Sequence, residues 1–417
     1  MHRAILLPGS ARIARIASHA IEGQGILTIF RPLTICSAAG LVLAWLVDFW
    51  YFPNHPILPD EFRFLDAAAH LRATGEYLVQ SMHAREMPLP AALFALLGPN
   101  LDLIRFVQAV AIPLQAWLVN DLGRRAFGPR VGRLAGCAAA LYPFFLFYQG
   151  LALSETLFTL LLLCFVAALY RFAGRERQMP AVMAVGALAT YAKASLTILP
   201  PLLLLPFARP RIVVLACVVY LACLAPWWVR NDVILRAFVP FTTTASMNLY
   251  VGNNARTVSG RGDWNTEVDP DEVARFESIT DEVARSKAYS RAAETYIVDN
   301  PGRFIELCFI RLEAFWNVIP NTPLYRSALF VAVSALSSGP VLVFALIGLW
   351  TTRRAWRRLM PLYGLIVYFT ALHTVTIASL RYRLPIEPYL ILLACAGAIS
   401  CYDWMRKMSW RSNPTPT

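Results

Sequence analysis

Asp60 and Glu61 stand side by side just after the first long apolar segment of the chain. A carboxylate held at such an edge can take a proton from a hydroxyl or ligate a divalent cation. Its plainer role is to start a helix, because acids in a first turn complement the helix dipole. Glu155 lies between two further apolar segments, where a carboxylate is expensive and usually has a task; otherwise it joins Ser154 in capping the helix that follows. Lys193 interrupts an apolar run between Tyr191 and Ser195. It either snorkels towards water or supplies a point charge for a phosphate. Arg381-Tyr382-Arg383 precedes the last apolar segment; two guanidiniums around a tyrosine can clamp a phosphate, or simply anchor the chain at an interface. Arg230 closes Trp227-Trp228-Val229-Arg230-Asn231, which reads as an aromatic belt with a basic anchor. Gly252-Asn253-Asn254 is a turn signal whose amides could read a sugar. His70, His83 and His373 show no ligand spacing.

The elements that must position these groups are apolar helices. Over 417 residues, 57% are hydrophobic and 15% charged, and the mean hydropathy is +0.51. No soluble domain hides that much apolar sequence when it arrives in blocks long enough to span a bilayer. The net charge of +12 would suggest nucleic acid in a soluble chain. Here the arginines cluster between apolar blocks, so membrane topology accounts for them and no nucleic-acid partner is expected. The eight cysteines make no CxxC pair and indicate neither a disulfide framework nor a zinc site.

Taken in order, residues 1–32 read as a basic interfacial arm in the cytoplasm rather than a cleaved leader, and residues 403–417 as a cytoplasmic tail. Residues 33–402 form one transmembrane domain, with a first outer loop at 53–101 and a long outer loop at 230–323. Within the first loop, Phe64, Ala68 and Leu71 share a face, which predicts a short amphipathic helix. Pro88–Leu97 is apolar but too short to cross. Leu134–Gly150 is expected as the third span, and Ala181–Ala192 with Leu196–Phe207 as a broken pair hinged at Lys193-Ala194-Ser195. The positive-inside rule then selects about ten spans, with both termini inside. The expected fold is all-α: a polytopic bundle with interfacial helices on its outer face, including a pair over Asp271–Val298 and Phe304–Ile319. This topology gathers Asp60, Glu61, Glu155, Lys193, Arg230 and Arg381/Arg383 on that face. A transporter or flippase for lipid-linked sugars is the rival class, but no internal repeat supports it.

The order of these motifs resembles the glycosyltransferase C superfamily, in particular the bacterial family-39-like group related to protein O-mannosyltransferases and the lipid A aminoarabinose transferase. Asp60-Glu61-Phe62-Arg63-Phe64, Ser154-Glu155-Thr156-Leu157-Phe158, Lys193 at a helix break, Pro226 to Asn231, Gly252-Asn253-Asn254 and Arg381 to Pro385 carry the resemblance. It implies a membrane enzyme of the bacterial inner membrane that moves a sugar from a polyprenyl-phosphate donor on the periplasmic or extracellular face. The acceptor would be an envelope glycan, lipid or protein. It further implies that Asp60 is catalytic and that Glu155 is a second acid near the acceptor or a metal. Lys193, Arg381, Arg383 and Arg230 would then hold the donor phosphate, with Glu61, Tyr382, Asn253 and Asn254 near substrate. The adjacent acids suit either a base or a divalent cation, with Asp60 and Glu155 the ligands if a metal takes part. The chain departs from the family's pattern in two places. It has no sizeable C-terminal outer domain, and it carries His83 to Pro90 where a proline pair after a basic residue is more usual. Arg85 would supply that charge.

Overall fold

The computed structural model describes residues 25–98, 100–320 and 325–412. Most of the expected arm 1–32 and the end of the expected tail 403–417 lie outside them. The described residues form helices and no strand, as an apolar chain must where backbone groups have no water to bond. Six segments are long and apolar enough to cross a membrane. The longest, Ala328–Val375, is two helices, α16 (Ala328–Thr352) and α17 (Trp356–Val375), joined by a short 3-10 turn. The chain is a polytopic membrane protein.

The first long helix, α1 (Gly25–Trp50), leads into α2 (Pro59–Thr74). Pro59 presets the first helical turn, and the Glu61 carboxylate reaches back to the amides of Ile57 (2.9 Å) and Leu58 (3.0 Å). Gly75, at φ 78°, ends α2 in the left-handed region. Rather than lying free on a surface, α2 packs Phe64 against Phe94 of α3 (Leu89–Leu97), their rings 6.5 Å apart. α4 (Leu101–Ala109) and α5 (Ala111–Ala126) follow.

The expected third span is split: α6 (Pro129–Ala140) ends before Pro143, and α7 (Pro143–Tyr148) restarts from it, since proline cannot continue a helix from the preceding turn. After α8 (Ser154–Arg171) comes the expected break. α9 (Met179–Ala192) stops at Lys193, which is extended at φ −156° and ψ 122°. A 3-10 turn at Ala194–Leu196 then leads to α10 (Leu199–Leu204). Pro200 and Pro201 withhold amide donors, so the chain can only restart there. The carbonyls freed by the break are met by tyrosine hydroxyls, Tyr368 to Ser195 (2.7 Å) and Tyr220 to Thr197 (2.8 Å).

α11 (Pro210–Leu235) precedes the long polar segment, which holds four helices rather than the expected pair: α12 (Thr244–Gly252), α13 (Pro270–Glu277), α14 (Glu282–Asp299) and α15 (Pro301–Trp316). Met247, Tyr250, Val251, Tyr289 and Ala293 give α12 to α14 a small core of their own. Fully buried Arg311 of α15 fastens it to the bundle, donating to Thr374 O (3.0 Å), Val375 O (2.8 Å), Asn253 Oδ1 (2.8 Å) and Gly252 O. The chain closes with the one-turn helix α18 (Leu380–Arg383) and α19 (Glu387–Ser412). α16 and α19 approach so closely that a Cβ on Gly348 would lie 2.0 Å from Leu393 O, the close helix contact that small residues permit in membranes.

Candidate active site

Four separate elements deliver charge to one point. α2 brings Asp60 and Arg63, the first turn of α8 brings Glu155, the helix break brings Lys193, and α18 brings Arg381. The Arg381 guanidinium is the hub: its Nε lies 2.7 Å from Glu155 Oε1 and its Nη1 2.5 Å from Asp60 Oδ2. Lys193 Nζ is 2.9 Å from the same Glu155 oxygen, and Arg63 Nη1 is 2.9 Å from Asp60 Oδ1. The result is an alternating row, Lys193–Glu155–Arg381–Asp60–Arg63, in which three cations face two carboxylates. Glu155 is fully enclosed, whereas Asp60, Lys193 and Arg381 keep between 21 and 31% of their side chains open. Beneath the row, Lys193 sits 5.5 Å from the centre of the Tyr382 ring, which stacks on His373 at 4.7 Å.

The open atoms face a cavity of about 1600 Å³. One wall is apolar, with Val47, Leu146, Phe147, Phe330 and Val333; another carries Asp60, Arg63, Lys193, Arg381 and Glu86. A roof is supplied by Thr244 and Asn248 of α12 and by the turn Arg261–Asn265.

Electrostatics separate two of the carboxyls that line it, Asp60 and Glu86. Burial raises the Asp60 carboxyl, but the Arg381 and Arg63 guanidiniums outweigh that effect and hold it below the usual carboxylate range, as neighbouring opposite charges do. Burial and the nearby Asp60 charge push Glu86 up to about 7, against the opposing pull of Arg63, Arg85 and Lys193. One acid is held ionised while its neighbour titrates near neutrality. Environments that split two carboxyls in this way are a mark of acid–base sites.

Several expected site residues serve the scaffold instead. Glu61 does not face substrate: it is fully buried, capping α2 and accepting from the Ala152 amide (2.9 Å). Arg383 is not a phosphate ligand. Two positions along a helix turn the side chain by roughly 200°, so it cannot share a face with Arg381. It is buried against Glu387 (2.6 Å) and donates to Phe315 O (3.0 Å) and Asn317 O (2.8 Å). Arg230 donates to His83 O and Tyr77 O, both at 2.7 Å, and so pins the first loop instead of facing the cavity. Asn253 and Asn254 are buried, with side-chain amides on Leu249 O (2.9 Å), Tyr250 O (2.9 Å) and Glu267 O (2.8 Å), leaving nothing to offer a sugar. Arg85 stands behind the wall, with Nη1 3.4 Å from Met82 Sδ. Tyr382 does line the cavity.

Arg63 and Glu86 are additions. Arg63 was legible as the i+3 neighbour of Asp60; Glu86 carried no signal beyond being an acid in the same loop. As for a metal, no three His, Cys, Asp or Glu side chains are grouped to hold one among the described residues. Asp60 and Glu155 in particular do not fit a bridging cation, because the Arg381 guanidinium already spans them.

Comparison with known proteins agrees with this architecture. Residues 88–229 match the family described as dolichyl-phosphate-mannose-protein mannosyltransferase. No curated protein matches the chain. Among solved structures, the oligosaccharyltransferase AglB of Archaeoglobus fulgidus, in complex with an inhibitory peptide and a dolichol-phosphate, aligns at 13% identity and a TM-score of 0.52. That match covers 91% of this chain and 52% of the archaeal one. The same archaeal enzyme tethered to an acceptor peptide aligns at 11% identity and a TM-score of 0.55, covering 90% and 51%. ArnT from Cupriavidus metallidurans, bound to undecaprenyl phosphate, aligns at 16% identity and a TM-score of 0.47, covering 89% and 61%. The chain thus spans between about half and three-fifths of the length of the structures it matches. Its fold is similar to that of the archaeal oligosaccharyltransferase.

Proposed function

We propose that the protein transfers a sugar from a polyprenyl-phosphate donor to an acceptor hydroxyl or amine, by inverting displacement with Asp60 as base. The observation that carries this reading is the row of three cations against two carboxylates, opening on a cavity whose other wall is apolar. The excess positive charge suits a phosphate, and the apolar wall suits a prenyl chain. A fold relative solved with dolichol-phosphate supports the same ligand class. The cavity is assigned to the periplasmic or extracellular face of a bacterial inner membrane, with about ten crossings and both termini inside, on the distribution of arginines.

Arg381 holds Asp60 as a weak base. A donor phosphate competes for Arg381 and Lys193, and as the guanidinium turns to it the Asp60 carboxylate gains proton affinity. Asp60 then takes the acceptor proton while the acceptor oxygen bonds to the anomeric carbon. The bond from that carbon to the phosphate oxygen breaks, and the polyprenyl phosphate departs with the electron pair. Lys193 and Arg381 stabilise the charge as it develops, commonly the greatest single contribution to such catalysis. Glu155, enclosed between them, positions both cations. Donor binding thereby switches on the base.

The test is sugar release from radiolabelled undecaprenyl-phosphate glucose, with and without acceptor, by purified wild-type protein and Asp60→Asn. Transfer or hydrolysis by the wild type and none by the variant, with undecaprenyl phosphate still bound, is expected. Normal turnover by Asp60→Asn would remove Asp60 from the role. A flippase, in contrast, would tolerate that change and leave the glycosidic bond intact.

A further inference from the structure

The roof of the cavity holds polar groups that the phosphate chemistry leaves unused. Thr244, Ala245 and Asn248 share the cavity face of α12, while Ser246, Met247, Tyr250 and Val251 on its other side are buried against the neighbouring helices. The Asn248 side chain has no hydrogen-bond partner among the described residues, although it lines the cavity. Trp264 lines the same space and packs against Tyr289, ring centres 6.0 Å apart and ring planes at 85°.

The turn that carries Trp264 is built to stay in place. Gly262 has φ +82°, and a Cβ there would meet Ile377 Cδ1 at 3.1 Å. The Gly260 carbonyl accepts from the Ala378 amide (3.1 Å), and buried Glu267 accepts from the Val258 amide (3.2 Å). Asp263 accepts from the Asn265 amide (2.9 Å) and the Thr266 hydroxyl (2.8 Å). A fixed indole and an uncommitted amide therefore line one space.

Depth matches a sugar as well. Thr244 Oγ1 lies 3.5 Å from Glu86 Oε1, and Glu86 feels the Asp60 charge. Asn248 is one helical turn further on, roughly 5–6 Å away, about the width of one sugar ring. A sugar offers an apolar C–H face to an aromatic ring and a rim of hydroxyls to neutral donors and acceptors. The cavity face of α12, with Thr244, Ala245 and Asn248, carries no charge for a phosphate.

We infer that Trp264 and Asn248 form a saccharide-recognition subsite in the roof, one that orients a sugar ring over the Asp60–Glu86 pair. The inference rests on the glycosyltransferase reading and names the residues that select the sugar. That sugar is either the donor's own or the first residue of a glycan acceptor, and the two sources separate by experiment.

Detergent-solubilised wild type, Asn248→Ala and Trp264→Leu are compared in two arms. In the first, saturation-transfer NMR measures binding of methyl α-glucoside, methyl α-mannoside and methyl N-acetylglucosaminide. In the second, the affinity gap between undecaprenyl-phosphate glucose and bare undecaprenyl phosphate is measured. Binding of free glycosides that weakens about ten-fold in both variants, as expected for loss of a ligand hydrogen bond or its packing partner, assigns the subsite to the acceptor. An affinity gap that shrinks by a similar factor, with bare undecaprenyl phosphate bound as before, assigns it to the donor sugar. Unchanged behaviour of Asn248→Ala in both arms overturns the inference; this cavity-face variant keeps the test valid if Trp264→Leu misfolds. Failure of the donor reading is a separate result: bare undecaprenyl phosphate then does not bind the wild type, and the glycoside arm alone decides the roof.

Discussion

Arg381 and Arg383 are two residues apart and do opposite work. Arg383 is closed off: its carboxylate partner Glu387 also takes a hydrogen bond from the Tyr142 hydroxyl (2.9 Å), and neither member of the pair is exposed. Arg381 bridges two carboxylates on different helices, keeps 21% of its side chain open and faces a cavity with cations in excess. The first arrangement is shut away from any ligand. The second is a set of ion pairs that an anion can rearrange. A guanidinium–carboxylate pair therefore reveals a site through what it leaves open to a cavity, rather than through its presence.

That contrast can be broken at either end. The largest effect on chemistry is expected from Asp60→Asn, a loss of about 10²–10⁴-fold in turnover with little change in melting temperature, measured on a labelled donor and by thermal unfolding in detergent. Its counterpart, Arg383→Ala, leaves Glu387 buried and unpaired and should cost about 3–5 kcal/mol of stability. If Arg383→Ala melts like the wild type yet loses lipid-phosphate binding, the division of labour is reversed. Arg381→Lys sharpens the comparison, because a point charge cannot bridge both carboxylates. Loss of one charge-assisted hydrogen bond of about 1.5–3 kcal/mol predicts weaker binding of undecaprenyl phosphate, by roughly one to two orders of magnitude, in a protein that remains folded.

The smallest effect concerns pH. Glu86 is neutral below about 7 and charged above it. Its ionisation places a second negative charge beside Asp60, which raises the basicity of Asp60. Turnover should rise modestly as pH passes upward through 7, and Glu86→Gln should remove that step while leaving activity at low pH unchanged. A step that persists in Glu86→Gln belongs to another group.

Much of this was readable in the chain. Pro59-Asp60-Glu61 marked a helix start, Lys193 marked a break because it interrupts an apolar run, and the apolar blocks fixed the all-α membrane class. What could not be read was register. Adjacent residues on a helix lie about 100° apart, so Asp60 opens to the cavity while Glu61 turns back to cap its own helix. The same geometry divides Arg381 from Arg383. The roof was hidden for another reason: it is held by contacts between residues far apart in sequence, such as Arg311 with Thr374, and these leave no local pattern. Gly252-Asn253-Asn254 did signal a turn, but its polarity is consumed in holding that roof.

The partial openness of Asp60 also bears on fidelity. A base that can reach an acceptor can reach water, and a cavity this charged is wet. On the proposed reaction Arg381 restrains the carboxylate until the donor draws that restraint away. The hazardous interval is the wait between donor and acceptor. A loaded donor that meets water before an acceptor is lost to hydrolysis, so the yield of transferred sugar per donor consumed becomes a property of how quickly the acceptor arrives.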